Sequence, residues 1–288
     1  MYSNSDVVVI VLDYNRPDLT NRCLESIWRY NRINIVVVNS GSIDYHEYSK
    51  TVPFSYVVNT RGRSFSIGMN IGLKFSSIYN PKYIIFMNND AAVTEAGIQL
   101  LVAALESNPK LGMVSSGYKY SLGYLSRERK ISVKGKSVSE PNIRIRKKLT
   151  GFCLCAKFEV ISKIGGYDEN FIFTKEDDDL SFRVIKSGYM LAEVKNSVVI
   201  HTISSSTHLS KDSDISFLST SFGFGCGLLV KKKERNVLSM LTHIFIQNTL
   251  LLVKILIITH RIKIYIYRWS LHGFKKGFSK KMLSTDLI

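Results

Sequence analysis

A chain of 288 residues, 45% hydrophobic and 22% charged, can bury a sizeable core as one large domain or two smaller ones, and its composition excludes a disordered polypeptide. Its 39 Lys and Arg against 23 Asp and Glu leave a formal charge of +16, which calls for an anionic partner: nucleotide phosphates, nucleic acid or acidic lipid. The excess is uneven, because from Leu228 onward twelve basic residues face two acidic ones.

In chain order, Val7 to Leu12 is an apolar run rich in β-branched residues and reads as a buried strand. Asp13-Tyr14-Asn15-Arg16 breaks it, and Pro17 with Asp18 opens a helix whose apolar positions are Leu19, Cys23, Leu24, Ile27 and Trp28. Ile33 to Val38 and Phe54 to Val58 are the next strands. Gly62, Gly68 and Gly72 punctuate a stretch that leads into a second helix and permits close backbone approach. Tyr83 to Met87 is a continuous apolar run that ends abruptly in Asn88-Asn89-Asp90, as a strand buried on both faces would. Ligands of open α/β sheets sit beyond the carboxyl ends of such strands. Asn88 and Asp90 offer oxygen ligands to a hard divalent ion, and a simple Asn-Asn-Asp turn is the alternative. Val93 to Glu106 reads as a helix and Gly112 to Ser116 as a short strand. The alternation predicts a three-layer α/β fold with a mostly parallel central sheet.

Residues 118–148 are basic and weakly periodic, which suits a solvated loop or an acceptor-binding lid. Leu149 to Ala156 reads as a strand, Phe158 to Ile164 as a short helix stopped by Gly165-Gly166. Glu176-Asp177-Asp178-Asp179 opens another helix. The dipole favours acids there, but four in a row exceed what a cap needs. Met190 to Ile200 has strand character and ends in His201, where a structural histidine and a ligand both remain open. The four cysteines include no C-x-x-C pair and read as buried small hydrophobes of a reducing compartment. The first apolar run is too short for a signal peptide.

Together these pieces resemble the inverting glycosyltransferases of family 2, of the bacterial surface-polysaccharide type, which have the Rossmann-like GT-A fold. The resemblance is carried by Tyr14-Asn15-Arg16-Pro17, Asn39-Ser40-Gly41-Ser42-Ile43-Asp44, Gly68-Met69-Asn70-Ile71-Gly72 and Asn88-Asn89-Asp90. It continues through Gly165-Gly166-Tyr167-Asp168, Glu176-Asp177-Asp178-Asp179-Leu180 with Arg183 and Gly188, and His201. It spans about residues 7 to 205. It implies a nucleotide-sugar donor, a saccharide or lipid-linked acceptor hydroxyl, and Mn2+ or Mg2+. By position, Tyr14, Asn15, Arg16, Asn39, Ser64, Gly68, Asn70, Asn88 and Asn89 would bind the donor. Asp90 and His201 would hold the metal, and Asp177, with Glu176 beside it, would serve as catalytic base. Asn39 stands where the family carries Asp, Ser64 where it carries Gly, and Asn88 replaces the first Asp of D-x-D. An inverting transfer needs one carboxylate at the attacking hydroxyl and one charge-offsetting group at the leaving diphosphate.

Two other readings compete: a nucleotidyltransferase on a similar sheet, and a non-enzymatic basic protein that binds membrane or nucleic acid. The first would want a glycine- and base-rich turn after the first strand, which Asp13-Tyr14-Asn15-Arg16 lacks. The expected organisation is a catalytic domain over 1–227 and a basic, apolar helical region over 228–288. The apolar stretch Val237 to Thr259 approaches the length of a span, but His243, Gln247, Lys254 and Arg261 recur along one side. A helix lying in the interface of an anionic membrane is expected, on the cytoplasmic face, with no nucleic-acid partner.

Overall fold

The computed structural model describes residues 3–61, 64–94, 96–121, 140–202, 212–232, 235–259 and 266–280, without the side chains of 118–121, 201–202, 212–214 and 253–259. The chain divides into two compact units. The first comprises Met1–Arg63, Ile67–Gly166 and Leu180–Ser206; the second comprises Ser64–Ser66, Tyr167–Asp179 and Thr207–Ile288.

The first unit is built on β1 (Val7–Asp13), β2 (Asn34–Asn39), β3 (Ser55–Val58), β4 (Tyr83–Asn88), β5 (Ala91–Val93), β6 (Leu111–Ser121), β7 (Ile143–Arg146), β8 (Cys153–Lys157) and β9 (Met190–Thr202). These form one mixed sheet in the order β3-β2-β1-β4-β8-β6-β9-β5, with β7 also paired to β9. The pairs among β3, β2, β1 and β4 and the pair β6–β9 are parallel; β8, β5 and β7 pair antiparallel. Both faces are covered, which is why the strands read as unbroken apolar runs. On one face Val7, Val9 and Val11 pack with Cys23, Leu24 and Ile27 of α1 (Pro17–Tyr30) and Ile98, Leu101 and Leu105 of α3 (Gly97–Ser107). On the other, Gly68 and Gly72 of α2 (Phe65–Ser76) let its backbone close on Ile10, Leu12 and Val38, where any Cβ would overlap those side chains.

Parallel register sets the carboxyl edge. Asp13 pairs with Asn39, Asn39 with Val58, and Leu12 with Asn88, so β1 to β4 end abreast. The turns that follow these four strands are thereby gathered on one side.

Several elements differ from those expected. Val93, expected to open a helix, ends the strand β5 (Ala91–Val93), because β9 supplies an antiparallel partner, and α3 begins only at Gly97. β6 runs on to Ser121, since β9 offers it a long parallel edge. Ile143–Arg146, expected as loop, is the edge strand β7; residues 122–139 of that basic segment lie outside the described residues. Gly151 and Phe152 turn, so β8 starts at Cys153. The short α4 (Phe158–Lys163) and α5 (Glu176–Lys186) fall where expected. All four cysteines are buried. Burial pushes the Cys23 and Cys155 thiols upward and that of Cys153 up to about 12, as befits inert core residues.

The second unit holds the first turn of α5 and three helices, α6 (Asp212–Lys231), α7 (Val237–Thr259) and α8 (Ile266–Ser279). α6 was not foreseen. It packs on α8 backbone to backbone: a Cβ at Gly223 or Gly227 would overlap main-chain atoms of Ser270 or Phe274, and one at Gly273 or Gly277 those of Thr220 or Phe224. Glycine here serves close approach. α7 lays one stripe inward, Met240, Ile244 and Asn248, and leaves Leu238 (76%), Phe245 (63%) and Leu250 (59%) exposed. Among the described residues no helix is long and apolar enough to cross a membrane.

Candidate active site

At the carboxyl edge of the first unit, Asp13 is fully buried and its carboxylate accepts four hydrogen bonds. Oδ1 receives the Thr20 hydroxyl at 2.6 Å, the Asn89 amide at 3.0 Å and the Arg16 backbone N–H at 3.3 Å. Oδ2 receives the Tyr48 hydroxyl at 2.8 Å. Burial and the adjacent Asp13 carboxylate hold the Tyr48 phenol well above its ordinary range, so Tyr48 donates. Asn89 also donates to Thr20 Oγ1 at 3.1 Å, and its amide hydrogens are thus spent inside the protein. Asn88 and Asp90, which flank it, are only half buried.

The turn after β2 is closed by Asn39. Its amide donates to Ile43 O and to the Tyr56 hydroxyl, both at 2.7 Å, and its carbonyl accepts Gly41 N–H at 2.8 Å. Asn15, in a left-handed backbone conformation with φ 55°, accepts Ser42 N–H at 2.8 Å and so latches the β1 turn to the β2 turn. Asn59, just past β3, donates to Ser40 Oγ at 2.9 Å and accepts Arg61 N–H. Tyr14 is exposed, and Arg16 forks onto Asp18 with two contacts of 2.9 and 2.8 Å, lowering that carboxyl. Tyr14, Asn15, Arg16, Asn39, Asn88, Asn89 and Asp90 therefore share one edge, but Asn39 and Asn89 turn their amides into the protein.

Asp90 follows β4, and β5 begins at the next residue. Its register sets Ala91 opposite His201 of β9, so the main chain brings position 201 within one residue of Asp90 across the ladder. The His201 side chain lies outside the described residues. The Asp90 carboxylate at such a place fits a hard divalent ion that a diphosphate would also ligate. Among the described residues no group of three or more His, Cys, Asp or Glu forms a ready cluster.

Gly68 lies against Leu12 and Ser40, and Asn70, two residues on, sits beside the Gly165–Gly166 turn. Gly166 has φ 69°, and a Cβ there would overlap Asn70 Oδ1, so the position demands glycine twice over. Arg183 clamps that turn by donating to Ile164 O at 3.0 Å and Gly166 O at 2.7 Å.

In the second unit, Ser64 is buried, and Phe65 stands edge-on to Tyr167 with centroids 5.5 Å apart. Tyr167 donates to Asp177 Oδ1 at 3.4 Å. Glu176 is buried, its Oε2 has no hydrogen-bond partner among the described residues, and burial followed by the neighbouring Asp177 charge drives its carboxyl well above the carboxylate range. Burial thus favours the protonated form of Glu176, while Asp177 is half buried. Asp179 is fully buried and paired with Lys232, which also reaches Asp168 at 3.1 Å. Asp178 accepts Lys175 at 3.3 Å. The four acids thus differ: Glu176 is buried with its carboxyl pushed upward, Asp178 and Asp179 are ion-paired, and Asp177 accepts the Tyr167 hydroxyl.

The approach to α5 is strained. Thr174 and Lys175 have φ 73° and 70°, conformations that cost non-glycine residues about 1–3 kcal/mol each. Lys175 Nζ donates to His243 Nε2 at 2.9 Å and lies 5.0 Å from the Phe222 ring, so α6 and α7 hold the bend. Since an ammonium only donates, His243 accepts there as the neutral ring. Sequence reasoning passed over Asp13, Tyr48, Asn59 and Lys175. The polar break after β1 was the only local sign of the first.

Solved structures of similar fold are glycosyltransferases. GalNAc-T7, solved with UDP, GalNAc and Mn2+, superposes with a TM-score of 0.55 at 17% identity over 68% of this chain and 43% of its own. The mannosyltransferase PcManGT from Pyrobaculum calidifontis, solved with GDP-Man and Mn2+, gives 0.60 at 14% identity over 95% of this chain and 87% of its own. TarS from S. aureus, residues 1–349, gives 0.52 at 12% identity over 75% and 65%. The chain therefore spans less than half of GalNAc-T7 and just under two thirds of the TarS fragment. Likeness at such identity is one of fold, and the fold is the α/β, GT-A-like one expected from the motifs. No curated protein matches the chain in sequence. The Glycosyl transferase family 2 profile matches residues 8–164, more than half of the chain, and the chain belongs to that family.

Proposed function

We propose that this glycosyltransferase moves a sugar from a nucleotide-diphosphate donor to a hydroxyl of a saccharide or lipid-linked acceptor, with inversion, in cell-surface polysaccharide synthesis. The observation that carries this reading is the row of strand ends, where Asp13, Asn39, Val58 and Asn88 finish abreast and their turns offer Asn15, Asn88 and Asp90 on one edge. Family membership removes support from the nucleotidyltransferase and non-enzymatic alternatives. Asp90 and His201 would hold Mn2+ or Mg2+, which would supply charge to offset the departing diphosphate. Asp177, oriented by Tyr167, takes the acceptor proton as the new C–O bond forms and the bond to the diphosphate breaks. Burial disfavours the charged form of Glu176, which suits it less to that task than its neighbour. A panel of UDP- and GDP-sugars incubated with the protein and Mn2+ tests the reading. Release of nucleoside diphosphate from at least one donor is expected, and none from any would overturn it.

The enzyme works at the cytoplasmic face of an anionic membrane. Support comes from the apolar outer side of α7, at Leu238, Phe245, Ile246 and Leu250, together with exposed Arg268, Lys275 and Lys276 on α8 of the same unit. The full chain should float with vesicles containing anionic lipid, and the double variant Phe245→Ser, Leu250→Ser should not. Equal recovery of both in the unbound fraction at low salt would end the membrane reading. Release by high salt alone would assign the attachment to the basic residues.

A further inference from the structure

We infer that Asp13 is a positioning residue for the donor and metal edge, acting through Thr20 and Asn89 on the turn that presents Asp90. This rests on the proposed donor and metal roles of that edge. A carboxylate offers about four acceptor positions, and Asp13 has four donors on it from four separate segments: Arg16 in the turn after β1, Thr20 in α1, Tyr48 after β2, and Asn89 after β4. With no exposed surface, it is placed to organise rather than to bind a ligand.

The link to Asp90 is geometric. Asn89 gives one amide contact to Asp13 at 3.0 Å and another to Thr20 Oγ1 at 3.1 Å, while Thr20 gives its hydroxyl to Asp13 at 2.6 Å. That three-membered network turns residue 89 inward. β4 ends at Asn88, and Asn89 and Asp90 form the turn, so fixing residue 89 fixes the backbone from which Asp90 follows. The same carboxylate caps the Arg16 backbone N–H, tying the Tyr14–Arg16 turn to the Asn88–Asp90 turn across 76 residues of sequence. Buried networks of this kind fix one geometry only when every member is satisfied. Removing one hydroxyl from the interior should therefore be felt at the edge.

Thr20 provides the cleanest test, since it is fully buried on α1. Thr20→Val keeps the shape but removes the hydroxyl; Thr20→Ser keeps the hydroxyl and loses a methyl. Binding of Mn2+ to the full chain would be followed by electron paramagnetic resonance, with and without UDP or GDP, alongside the thermal midpoint. Thr20→Val should weaken Mn2+–nucleotide binding about tenfold, the scale of one lost hydrogen bond to a charged group, and Thr20→Ser should restore it. Asp13→Asn, which replaces an acceptor by a donor facing other donors, should weaken it at least as much. A merely structural network would lower the midpoint of both Thr20 variants and leave the affinity of the folded molecules unchanged, which would overturn the proposal. Should Thr20→Val fail to fold, a folded Tyr48→Phe with wild-type affinity overturns it equally. If the wild-type chain binds Mn2+ with neither nucleotide, the donor-site reading itself falls, and this inference with it.

Discussion

Asp177→Asn should fold, bind nucleotide–Mn2+ normally and lose sugar transfer by about 100-fold or more, the scale of losing a positioned general base. The expectation comes from how the four acids divide. Glu176 is buried with its carboxyl pushed upward, Asp179 pairs with Lys232 and Asp178 with Lys175, while Asp177 is half buried and accepts the Tyr167 hydroxyl. The matching control is Glu176→Gln. It puts a neutral group of similar shape where burial already disfavours charge, so most activity should survive. The measurement is transfer rate under saturating donor, with nucleotide binding followed separately. Near-normal turnover of Asp177→Asn would remove the base assignment, and a large loss in Glu176→Gln with none in Asp177→Asn would move it one residue back.

Chelation should abolish transfer, and added Mn2+ or Mg2+ should restore it in the wild type but not in Asp90→Ala. Asp90 lies in the turn just past β4, next to a residue paired with position 201, and it is the acid that this turn offers. Loss of its carboxylate should reduce Mn2+ affinity as well as rate, so direct metal titration separates this outcome from a folding defect. Full activity in chelator, or rescue of Asp90→Ala by excess Mn2+ at wild-type affinity, would return Asn88 to Asp90 to the status of a turn. The fold should tolerate the change, because Asp90 is only half buried.

The two halves of the machinery were legible to different degrees. The strands β1, β2 and β4 were plain because both their faces are covered, which forces continuous apolar runs. The helix starting at Pro17 and the acidic start of α5 were equally visible, since caps and dipole preferences are local. β5 and β7 were not. Each is three or four residues long, and each is a strand only because β9 lies alongside. α6 was missed because its glycines lower helix propensity locally, while close packing on α8 needs them.

By itself the sequence determined the family, the α/β class, the order of the motifs and the candidates Asp90 and Asp177, all of which reside in runs of a few adjacent residues. The tertiary structure decided what those residues face. It turned Asn39 into the closure of its own turn and Asn89 into a contact of Asp13. It also buried Glu176 and pushed its carboxyl upward. The hydrogen bonds of Asp13 to Tyr48 and Asn89 join residues 35 and 76 apart, and a carboxyl's protonation depends on how much water burial removes. Neither quantity exists until the strands have found their register.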